Sequence, residues 1–248
     1  MKLLDWTLPT PAENLAADEA LLDLCEAAHG PEVLRFWESD RPFVVVGRAN
    51  RVEREVDVAA CATRGVPILR RCSGGGTVLQ GPGCLNYTLV LEIDPGGPTG
   101  GIVSTNRFVL ERNARALQAA LPPGSGHIRV EGHTDLTLDG RKFSGNAQRR
   151  KRRCLLFHGT ILLGLDLALV EALLPLPSRA PAYRNGRAHG AFLDHLPLTA
   201  AQVRAALRHA WQADAPASPP SPDQIRALVD ARYGNPDWNL RAAGGLPA

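Results

Sequence analysis

RRCSGGGTV, at positions 70–78, places two arginines ahead of three consecutive glycines. β-Branched and apolar residues flank the segment, which predicts that a strand over 66–69 leads into a loop. Glycines accept positive φ and let the backbone come close to a ligand, with N–H groups that converge on an anion. Three glycines alone would also fit a flexible loop without a ligand, but the adjacent arginines favour a phosphate or carboxylate site.

A second segment, DGRKFSGNAQ at positions 139–148, presents Lys142 next to a tight turn and follows it with small residues. Asp-Gly between two β-rich stretches is a strong hairpin signal. Lys142 alone would be a solvated hairpin lysine, but beside Ser144 and Gly145 it has room to contact a ligand. A glycine loop and a separate lysine together indicate a site that binds and activates a phosphorylated or carboxylated molecule.

The length and composition fit an ordinary globular fold. The chain has 248 residues, 44% hydrophobic and 21% charged, enough for one large domain or a domain with a small appendage. Helical spacing predicts helices over 14–27, 56–64, 106–121, 165–174, 200–212 and 221–233, the last two separated by a Pro/Ser-rich loop at 215–220. β-Rich stretches predict strands over 33–37, 43–47, 66–69, 86–93, 135–138, 141–144 and 158–163, the first two joined by a polar turn at 40–42. This order lacks a βαβ repeat and predicts an α+β fold with a mixed β-sheet packed by helices.

The charge balance and the cysteines exclude several classes of protein. A net charge of +3 argues against a whole-molecule polyanion binder, and the basic run at 149–153 lacks the interleaved aromatics of a nucleic-acid site. That run is a solvated loop or a docking site for an acidic partner. Five cysteines without a CxxC pair disfavour a disulfide scaffold or structural zinc. Because we find no signal-length or membrane-spanning apolar stretch, we expect a protein of the reducing cytoplasm, without nucleic-acid or membrane partners.

Five motifs in this order resemble the lipoate–protein ligase family, within the wider group of biotin and lipoate protein ligases and octanoyltransferases. They are NLAADE at 14–19, VGR at 46–48, the arginine–glycine loop at 70–78, GRKFSG at 140–145 and HGT at 158–160, with GCLNY at 83–87 in support. The resemblance covers about residues 14–183 and implies the catalytic-domain fold of biotin and lipoate protein ligases. It also implies a ligase or transferase catalytic domain at 1–196, followed by a short C-terminal helical extension at 197–248.

The resemblance implies a two-step reaction. In such ligases, ATP and lipoate give lipoyl-adenylate, and a lysine of a carrier domain then attacks this mixed anhydride. ATP and Mg²⁺ would be co-substrates, lipoate or octanoate the substrate, and no cofactor would be permanently bound. Because the carboxylate and the α-phosphate repel each other, Lys142 and Arg71 would offset the repulsion and stabilise the transferring oxygens.

The expected site follows from the matching motif positions. Lys142 is the expected catalytic residue and holds the acyl carbonyl and phosphate oxygens, while Arg71 contacts the phosphates or the acyl carbonyl. Asp135 matches an acidic motif position and is expected to help hold Mg²⁺. His158 is either a hydrogen-bonded core histidine or part of the pocket. The expected substrate- and ATP-binding residues are Arg71, Gly75, Gly76, Thr77, Val78, Leu79, Asn86, Lys142, Ser144, Gly145, Ala147 and His158.

The expected partners are apo lipoyl or carrier domains, namely the acyltransferase subunits of 2-oxoacid dehydrogenases or the glycine-cleavage H protein. The chain departs from the family pattern at Thr134, where the motif has asparagine, and in the few residues that follow Tyr183. An accessory subunit in place of the C-terminal domain of many ligases is therefore a further expectation. Related transferases carry a cysteine nucleophile just before the Asp-Leu pair, and residues 127–134 contain none.

Two alternatives stay open at this point. One is an octanoyl or lipoyl transferase that takes the acyl group from another carrier protein without ATP. The missing cysteine opposes this alternative, and the short C-terminal region favours it. The other is a non-catalytic carrier-binding or adenylate-binding protein, which would have no need of both Arg71 and Lys142. An ATP-dependent ligase is the preferred hypothesis.

Overall fold

The computed structural model describes residues 1–28 and 30–241. Within them, the strands are β1 (Lys2–Asp5), β2 (Val33–Glu38), β3 (Phe43–Val46), β4 (Ile68–Arg70), β5 (Val78–Gln80), β6 (Cys84–Glu92), β7 (Ile128–Glu131), β8 (Asp135–Leu138), β9 (Arg141–Arg150), β10 (Cys154–Leu162) and β11 (Ala215–Pro216). Eight of these strands form one mixed sheet in the order β11-β1-β2-β6-β10-β9-β8-β7, and β4-β3-β5 form a second, smaller sheet.

Helices pack around both sheets. In the described residues they are α1 (Pro11–Ala28), α2 (Val52–Glu55), α3 (Val58–Thr63), α4 (Ile102–Ala120), α5 (Leu167–Leu173), α6 (His189–Phe192), α7 (Ala200–Trp211), α8 (Pro222–Leu228) and α9 (Pro236–Asn239), with a 3₁₀ turn at Ala182–Arg184 and a π-helical turn at Val229–Tyr233. Within the same residues, no helix is both long and apolar enough to cross a membrane. The mixed sheet with its helices confirms the predicted α+β fold.

The two faces of the large sheet bury different sets of side chains. On the first face, Phe36 and Tyr87 pack with residues of α4 and α7 in one core cluster. On the second face, Val90 and Leu156 pack against α1, while Leu162 meets the small sheet and α5. The second face is therefore covered by a helix on one side and by the small sheet on the other, which leaves space between the two sheets for a ligand.

Two neighbouring predicted strands have different partners. β2 pairs with β6 in the large sheet, and β3 pairs with β5 in the small one, so the polar turn at 40–42 connects two sheets instead of closing a hairpin. Part of the predicted loop at 215–220 is also paired, since β11 runs parallel to β1 at the sheet edge. Apolar and β-branched composition indicates a strand but does not specify its neighbour.

The predicted Asp-Gly hairpin is confirmed. Asp139 and Gly140 have φ angles of 47° and 80°. Two consecutive residues with positive φ are typical of a type I′ turn, whose twist matches that of the flanking strands. Leu138 and Arg141 pair directly across this turn. The hairpin therefore fixes the register of β8 and β9 from the turn outward.

One irregularity in this hairpin determines the direction of a lysine. Thr137 pairs with Lys142, but its neighbour Leu136 pairs with Ser144, so Phe143 is an extra residue in β9. Successive side chains of a strand point to opposite faces, and one extra residue shifts this alternation. Without the bulge, Lys142 would lie on the first face of the sheet, which is packed against α4 and α7.

The predicted C-terminal extension packs against the rest of the chain. The hydroxyl of Thr199 accepts a hydrogen bond from Gln202 N and caps α7. Val203 and Leu207 of this helix join the core cluster on the first face of the large sheet. The division into parts 1–196 and 197–248 stays a prediction, and residues 242–248 lie outside the described part.

Cys25 and Cys154 form a disulfide, with their Cα atoms 6.3 Å apart. The bridge joins the last turns of α1 to the first residue of β10, and both cysteines are buried. It is a single bridge and not a scaffold, because Cys61, Cys72 and Cys84 are free. No sequence pattern pointed to this pairing, because the two cysteines are separated by 129 positions.

We expect the Cys25–Cys154 bridge to stabilise the fold by about 2–4 kcal/mol, because it closes a long loop in the unfolded chain. Urea unfolding of the oxidised protein should give a higher free energy of unfolding than the same measurement with a reductant. A Cys25→Ala/Cys154→Ala variant is the control and should not respond to the reductant. Equal stability of the oxidised and fully reduced wild-type protein would contradict this prediction.

Candidate active site

A cavity of about 280 Å³ lies between the two sheets. This is close to the lower end of the range for small-molecule sites, roughly 300–1,000 Å³. Every residue predicted for the site borders the cavity: Arg71, Gly75, Gly76, Thr77, Val78, Leu79, Asn86, Asp135, Lys142, Ser144, Gly145, Ala147 and His158. The fold thus brings together residues that are far apart in the sequence, while their individual roles in binding stay predictions.

The strand register lines up the floor of the cavity in two rows. The first row crosses the large sheet from Trp37 through Asn86, Thr160 and Gly145 to Asp135, each paired with the next. Directly paired residues of neighbouring strands lie on the same face of a sheet. The first row therefore joins an apolar end at the indole to an ionised end at the carboxylate.

The second row runs parallel to the first, and each of its members lies two residues away from a member of the first row on the same strand. It leads from Arg35 through Thr88 and His158 to Ala147. Ser144 is on the opposite face by the same alternation, and its hydroxyl lies 3.2 Å from Asn146 Nδ2. The hydroxyl of Ser144 is therefore directed away from the two rows, although the residue borders the cavity.

Lys142 is held in one orientation by an ion pair. Its Nζ lies 2.8 Å from Asp135 Oδ1, and Asp135 Oδ2 accepts a hydrogen bond of 2.7 Å from the Tyr183 hydroxyl. A Cβ on Gly145 would lie only 3.0 Å from Lys142 Nζ, so glycine leaves the room that the ammonium group occupies. This explains why the motif places glycine three residues after the lysine.

The same geometry bears on the predicted Mg²⁺ site. Both carboxylate oxygens of Asp135 are occupied, one of them by a cation. Burial, with a further contribution from Asp135, raises the pKa of Tyr183, so the phenol stays protonated as a donor. Among the described residues no group of three or more His, Cys, Asp and Glu could hold a metal, but Mg²⁺ is usually bound by one or two carboxylates together with substrate phosphates and water. The Mg²⁺ role of Asp135 stays a prediction, and in this geometry the carboxylate orients Lys142.

Arg71 holds the glycine loop in its shape. Its Nε and Nη2 donate to Gly74 O at 3.1 and 2.7 Å, and Nη2 also donates to Gly76 O at 2.7 Å. Burial lowers the pKa of Arg71 to about 10, which leaves the guanidinium charged at neutral pH. Because loop carbonyls already occupy Nε and Nη2, contact between Arg71 and a phosphate stays a prediction.

Two glycines let the loop lie against the end of β3. A Cβ on Gly47 would lie 2.1 Å from Gly75 O, so a side chain does not fit there. Gly75 has a φ of +90°, and its Cβ would lie 2.8 Å from Arg71 Nη2. Gly74 and Gly76, in contrast, would place a Cβ in open space. The VGR motif and the triple glycine therefore form one structural unit.

His158 connects this loop to a buried ion pair. Its Nε2 lies 2.6 Å from Ser73 Oγ, and its Nδ1 lies 3.8 Å from Asp18 Oδ2. Asp18 Oδ1 in turn pairs with Arg35 Nη1 at 2.5 Å. Burial raises the pKa of Asp18, but Arg35 and His158 outweigh this effect and leave the pKa below its ordinary value. His158 therefore fits both alternatives, a hydrogen-bonded histidine and a residue of the pocket, since its ring is hydrogen-bonded and the residue also borders the cavity.

Several residues that shape the site had no predicted role. Asp18 lies in the NLAADE motif at 14–19. Arg35 could have been recognised from the sequence, because an arginine inside an apolar strand must have a partner for its charge. No sequence pattern pointed to Tyr183, because its hydrogen-bond partner Asp135 lies 48 positions away in the sequence. Partners of this kind become visible only when the fold brings them together.

The thiols lie outside the cavity. All five cysteines are in the described part of the chain, and none borders the cavity. Burial raises the pKa of Cys72 and of Cys84 to about 12, and it also raises the pKa of Cys61. The other two cysteines are joined in the disulfide. A reactive thiolate is therefore not available to a molecule in this cavity.

Part of the cavity wall is apolar. It contains Leu15, Trp37, Val45, Leu79, Leu162, Leu165, Val170 and Leu174. A wall of this kind suits an aliphatic chain, while the polar groups of the cavity can orient the end of a molecule that carries charge.

Comparison with known proteins identifies the family. Residues 10–208 match the lipoyl protein ligase A/B catalytic domain. The chain belongs to this family. The octanoyltransferase LipM of Symbiobacterium thermophilum is 32% identical, with 97% of this chain and 98% of that protein covered. The LipM of Kyrpidia tusciae is 29% identical over the same shares.

Solved structures have the same fold. The bipartite lipoate protein ligase of Thermoplasma acidophilum superposes with a TM-score of 0.80 at 22% identity, over 96% of this chain and 95% of that one. A lipoate–protein ligase A bound with ATP gives a TM-score of 0.78 at 25% identity, over 96% and 98%. The predicted family resemblance is confirmed, and the chain is an enzyme of the lipoate ligase and octanoyltransferase type. The non-catalytic alternative is thereby set aside.

Gly75→Ala should disable the site, because its methyl group strains a backbone at φ +90° and crowds Arg71 Nη2. We expect a loss of roughly tenfold or more in the rate of carrier-domain acylation, measured by mass spectrometry of the carrier. Gly74→Ala is the matched control, since its Cβ meets open space, and it should stay within about twofold of the wild-type rate. Equal rates for the two variants would show that the loop does not need this conformation.

Proposed function

We propose that this chain joins lipoate or octanoate to a lysine of a carrier domain through an acyl-adenylate made from ATP. One observation carries the proposal: the cavity contains a fixed lysine and a shaped glycine loop but no thiol. An enzyme that forms an acyl-adenylate needs cations to bring two anions together and needs no thiol. ATP is the co-substrate, and lipoate or octanoate is the substrate.

The two parts of the cavity match the two parts of an acyl substrate. The aliphatic chain would lie along the apolar wall near Trp37 and Leu79, where burial of methylene groups drives binding. The carboxylate would point toward Lys142, at the ionised end of the first row. This orientation leaves the loop at Gly75 and Gly76 to contact the nucleotide.

Lys142 would act in both steps of the reaction. In the first, a carboxylate oxygen attacks the α-phosphorus of ATP and pyrophosphate leaves, which requires two anions to meet. In the second, the carrier amine attacks the acyl carbon, AMP leaves with the bonding electron pair, and the nitrogen loses a proton. Because Asp135 already holds the ammonium group in place, Lys142 can stabilise the developing charge with little reorganisation.

The acceptor in this proposal is an apo lipoyl or carrier domain. The Thermoplasma acidophilum structure is described as a lipoate protein ligase with its E2 lipoyl domain, which supports a partner of the same kind here. Acyltransferase subunits of 2-oxoacid dehydrogenases and the glycine-cleavage H protein both fit this description. An accessory subunit stays a further possibility to be tested in the same assay.

Octanoyl transfer between carrier proteins is the second candidate, and the relatives favour it. Two relatives named octanoyltransferase LipM cover nearly the whole chain. Transfer through a cysteine acyl-enzyme would need a thiol in the cavity, and no cysteine borders it. Transfer from a carrier thioester directly to the acceptor lysine would need none, so this form of the reaction is the stronger rival.

One assay distinguishes the two candidates. The purified chain is incubated with an apo lipoyl domain and either ATP, Mg²⁺ and free octanoate or lipoate, or an octanoyl-carrier thioester without ATP. The readouts are AMP release and the mass of the lipoyl domain. Modification with stoichiometric AMP release supports the ligase. Modification only from the thioester would overturn it and establish the transferase.

Lys142→Ala should lower carrier modification by about 10²–10³-fold, the usual effect of removing one preorganised charged donor. Lys2→Ala is the control, because Lys2 lies in β1 and does not border the cavity. Both variants should remain folded by circular dichroism. A Lys142→Ala rate within about threefold of the Lys2→Ala rate would remove Lys142 from the reaction.

A chain with all five cysteines changed to alanine should still modify the carrier, because an acyl-adenylate requires no thiol. Some stability should be lost with the disulfide, about 2–4 kcal/mol, so rates are compared per folded molecule. Mass spectrometry of the wild-type protein during turnover should find no acyl group on any cysteine. An acyl adduct on Cys72 or Cys84, with loss of turnover in the matching single variant, would move the assignment to the cysteine transferases.

A further inference from the structure

The C-terminal residues of the described chain lie directly behind the strand that leads into the glycine loop. Residues 229–241, named here the C-terminal latch, follow α8 and include α9. α9 packs against β4, and β4 ends at Arg70, immediately before Arg71. The latch does not border the cavity, so any effect on the site must pass through β4 and its neighbours.

Arg70 is the centre of this contact. Its guanidinium is buried and donates to the carbonyl oxygens of both the latch and the loop after β3. The acceptors are Trp238 O and Arg241 O in the latch and Gly47 O, Arg48 O and Asn50 O in the loop, at 2.8–3.2 Å. Arg70 therefore fastens two segments to each other, with Nε, Nη1 and Nη2 all bonded to carbonyl oxygens.

Two latch side chains close the contact from the other direction. Asn239 Oδ1 accepts from Arg70 N at 2.9 Å, and Trp238 Nε1 donates to Arg70 O at 2.8 Å. The indole of Trp238 lies between two guanidinium groups, with the Arg241 group 4.1 Å and the Arg232 group 5.2 Å from the ring centroid. The backbone of β4 is thus bonded at both its N–H and its carbonyl at this residue.

The latch is also attached to α1. Tyr233 donates from its hydroxyl to Glu19 Oε2 at 2.6 Å, and Arg232 forms an ion pair with the same carboxylate. Glu19 is buried, and its neighbour in the sequence is Asp18. Asp18 forms the ion pair with Arg35 that lies near His158. The latch is therefore anchored to the helix that forms one wall of the second sheet face.

The loop that Arg70 fastens supports the glycine loop directly. Gly47 lies against Gly75, where a Cβ would be 2.1 Å from the carbonyl oxygen. Arg48 N donates to Ser73 O at 2.9 Å, and Asn50 Nδ2 lies 3.3 Å from Thr77 Oγ1. A displacement of the loop after β3 would thus be transmitted to the glycine loop at several points.

We propose that the C-terminal latch is a positioning element of the active site, which sets the conformation of the glycine loop through Arg70. This assigns Arg70 a positioning role, in contrast to Arg71, and it assigns Trp238 and Asn239 a part in the reaction although they lie outside the cavity. This inference rests on the proposed function in one respect only, namely which molecule the glycine loop binds. The conformation of the loop can be measured without any ligand.

The test compares two buried asparagines. Asn239→Ala removes the acceptor of Arg70 N, and Asn113→Ala removes the acceptor of Trp211 Nε1, a 2.7 Å bond between α4 and α7 on the first face of the large sheet. Hydrogen–deuterium exchange of the amides of residues 71–78 is followed in the full-length protein without ligand. We expect exchange roughly tenfold faster or more in Asn239→Ala, and unchanged within about twofold in Asn113→Ala, since only the first loses a bond that supports the loop.

Wild-type exchange of residues 71–78 in Asn239→Ala would overturn the proposal, as would equal acceleration in both variants. If Asn239→Ala does not fold, Trp238→Phe keeps an aromatic side chain and removes the bond to Arg70 O, with Trp211→Phe, which loses its bond to Asn113, as the control. A second measurement is the affinity for a non-hydrolysable acyl-adenylate analogue, which should fall roughly tenfold in the same latch variants. If the wild-type protein does not bind the analogue, the proposed function fails, and the exchange data still decide on the latch.

Discussion

One extra residue in β9 decides on which face of the large sheet Lys142 lies. Because side chains alternate along a strand, the bulge at Phe143 moves the lysine to the face that carries Asp135 and Gly145. There the ammonium group finds a carboxylate at 2.8 Å and a position without a side chain. On the other face it would enter the core cluster around Leu136, where a charge without a partner is strongly unfavourable. The presence of the Lys142 ammonium group in the cavity therefore depends on the bulge.

The glycine loop is held in place where side chains are absent. Gly47 and Gly75 permit two backbone segments to touch, and Arg71 then bonds the loop carbonyls from below. A loop fixed in this way differs from the flexible linker that three glycines would otherwise suggest. Its conformation is set before a ligand arrives, so binding requires less ordering of the chain. The buried guanidinium thereby contributes to the site through the loop even without touching a substrate.

The residues predicted from the sequence all border the cavity, but the sequence did not predict how they interact. Motifs such as the Asp-Gly turn specify local backbone geometry, and that part of the prediction was confirmed in the φ angles of Asp139 and Gly140. The bulge at Phe143 has no comparable signature, because lysine, phenylalanine and serine all fit a regular strand. The partners of Arg35 and Arg70 lie far away in sequence, and pairing across such distances follows from packing and not from local pattern. For the same reason the sequence predicted a strand at 43–47 but gave no sign that this strand belongs to a second sheet.

The proteins that this chain resembles include an octanoyltransferase and a lipoate protein ligase. The two reactions proposed for this chain both deliver an acyl group to a lysine, so the apolar wall and Lys142 alone do not separate them. The difference lies in what leaves the acyl carbon. A phosphate leaving group is an anion that a fixed ammonium group and a shaped glycine loop can stabilise, whereas a cysteine acyl-enzyme requires a thiolate next to the carbonyl. In this chain burial raises the pKa of Cys72 and Cys84 to about 12 and keeps both out of the cavity. The site therefore lacks the thiolate that a cysteine acyl-enzyme needs, while its lysine and glycine loop support the proposed acyl-adenylate route.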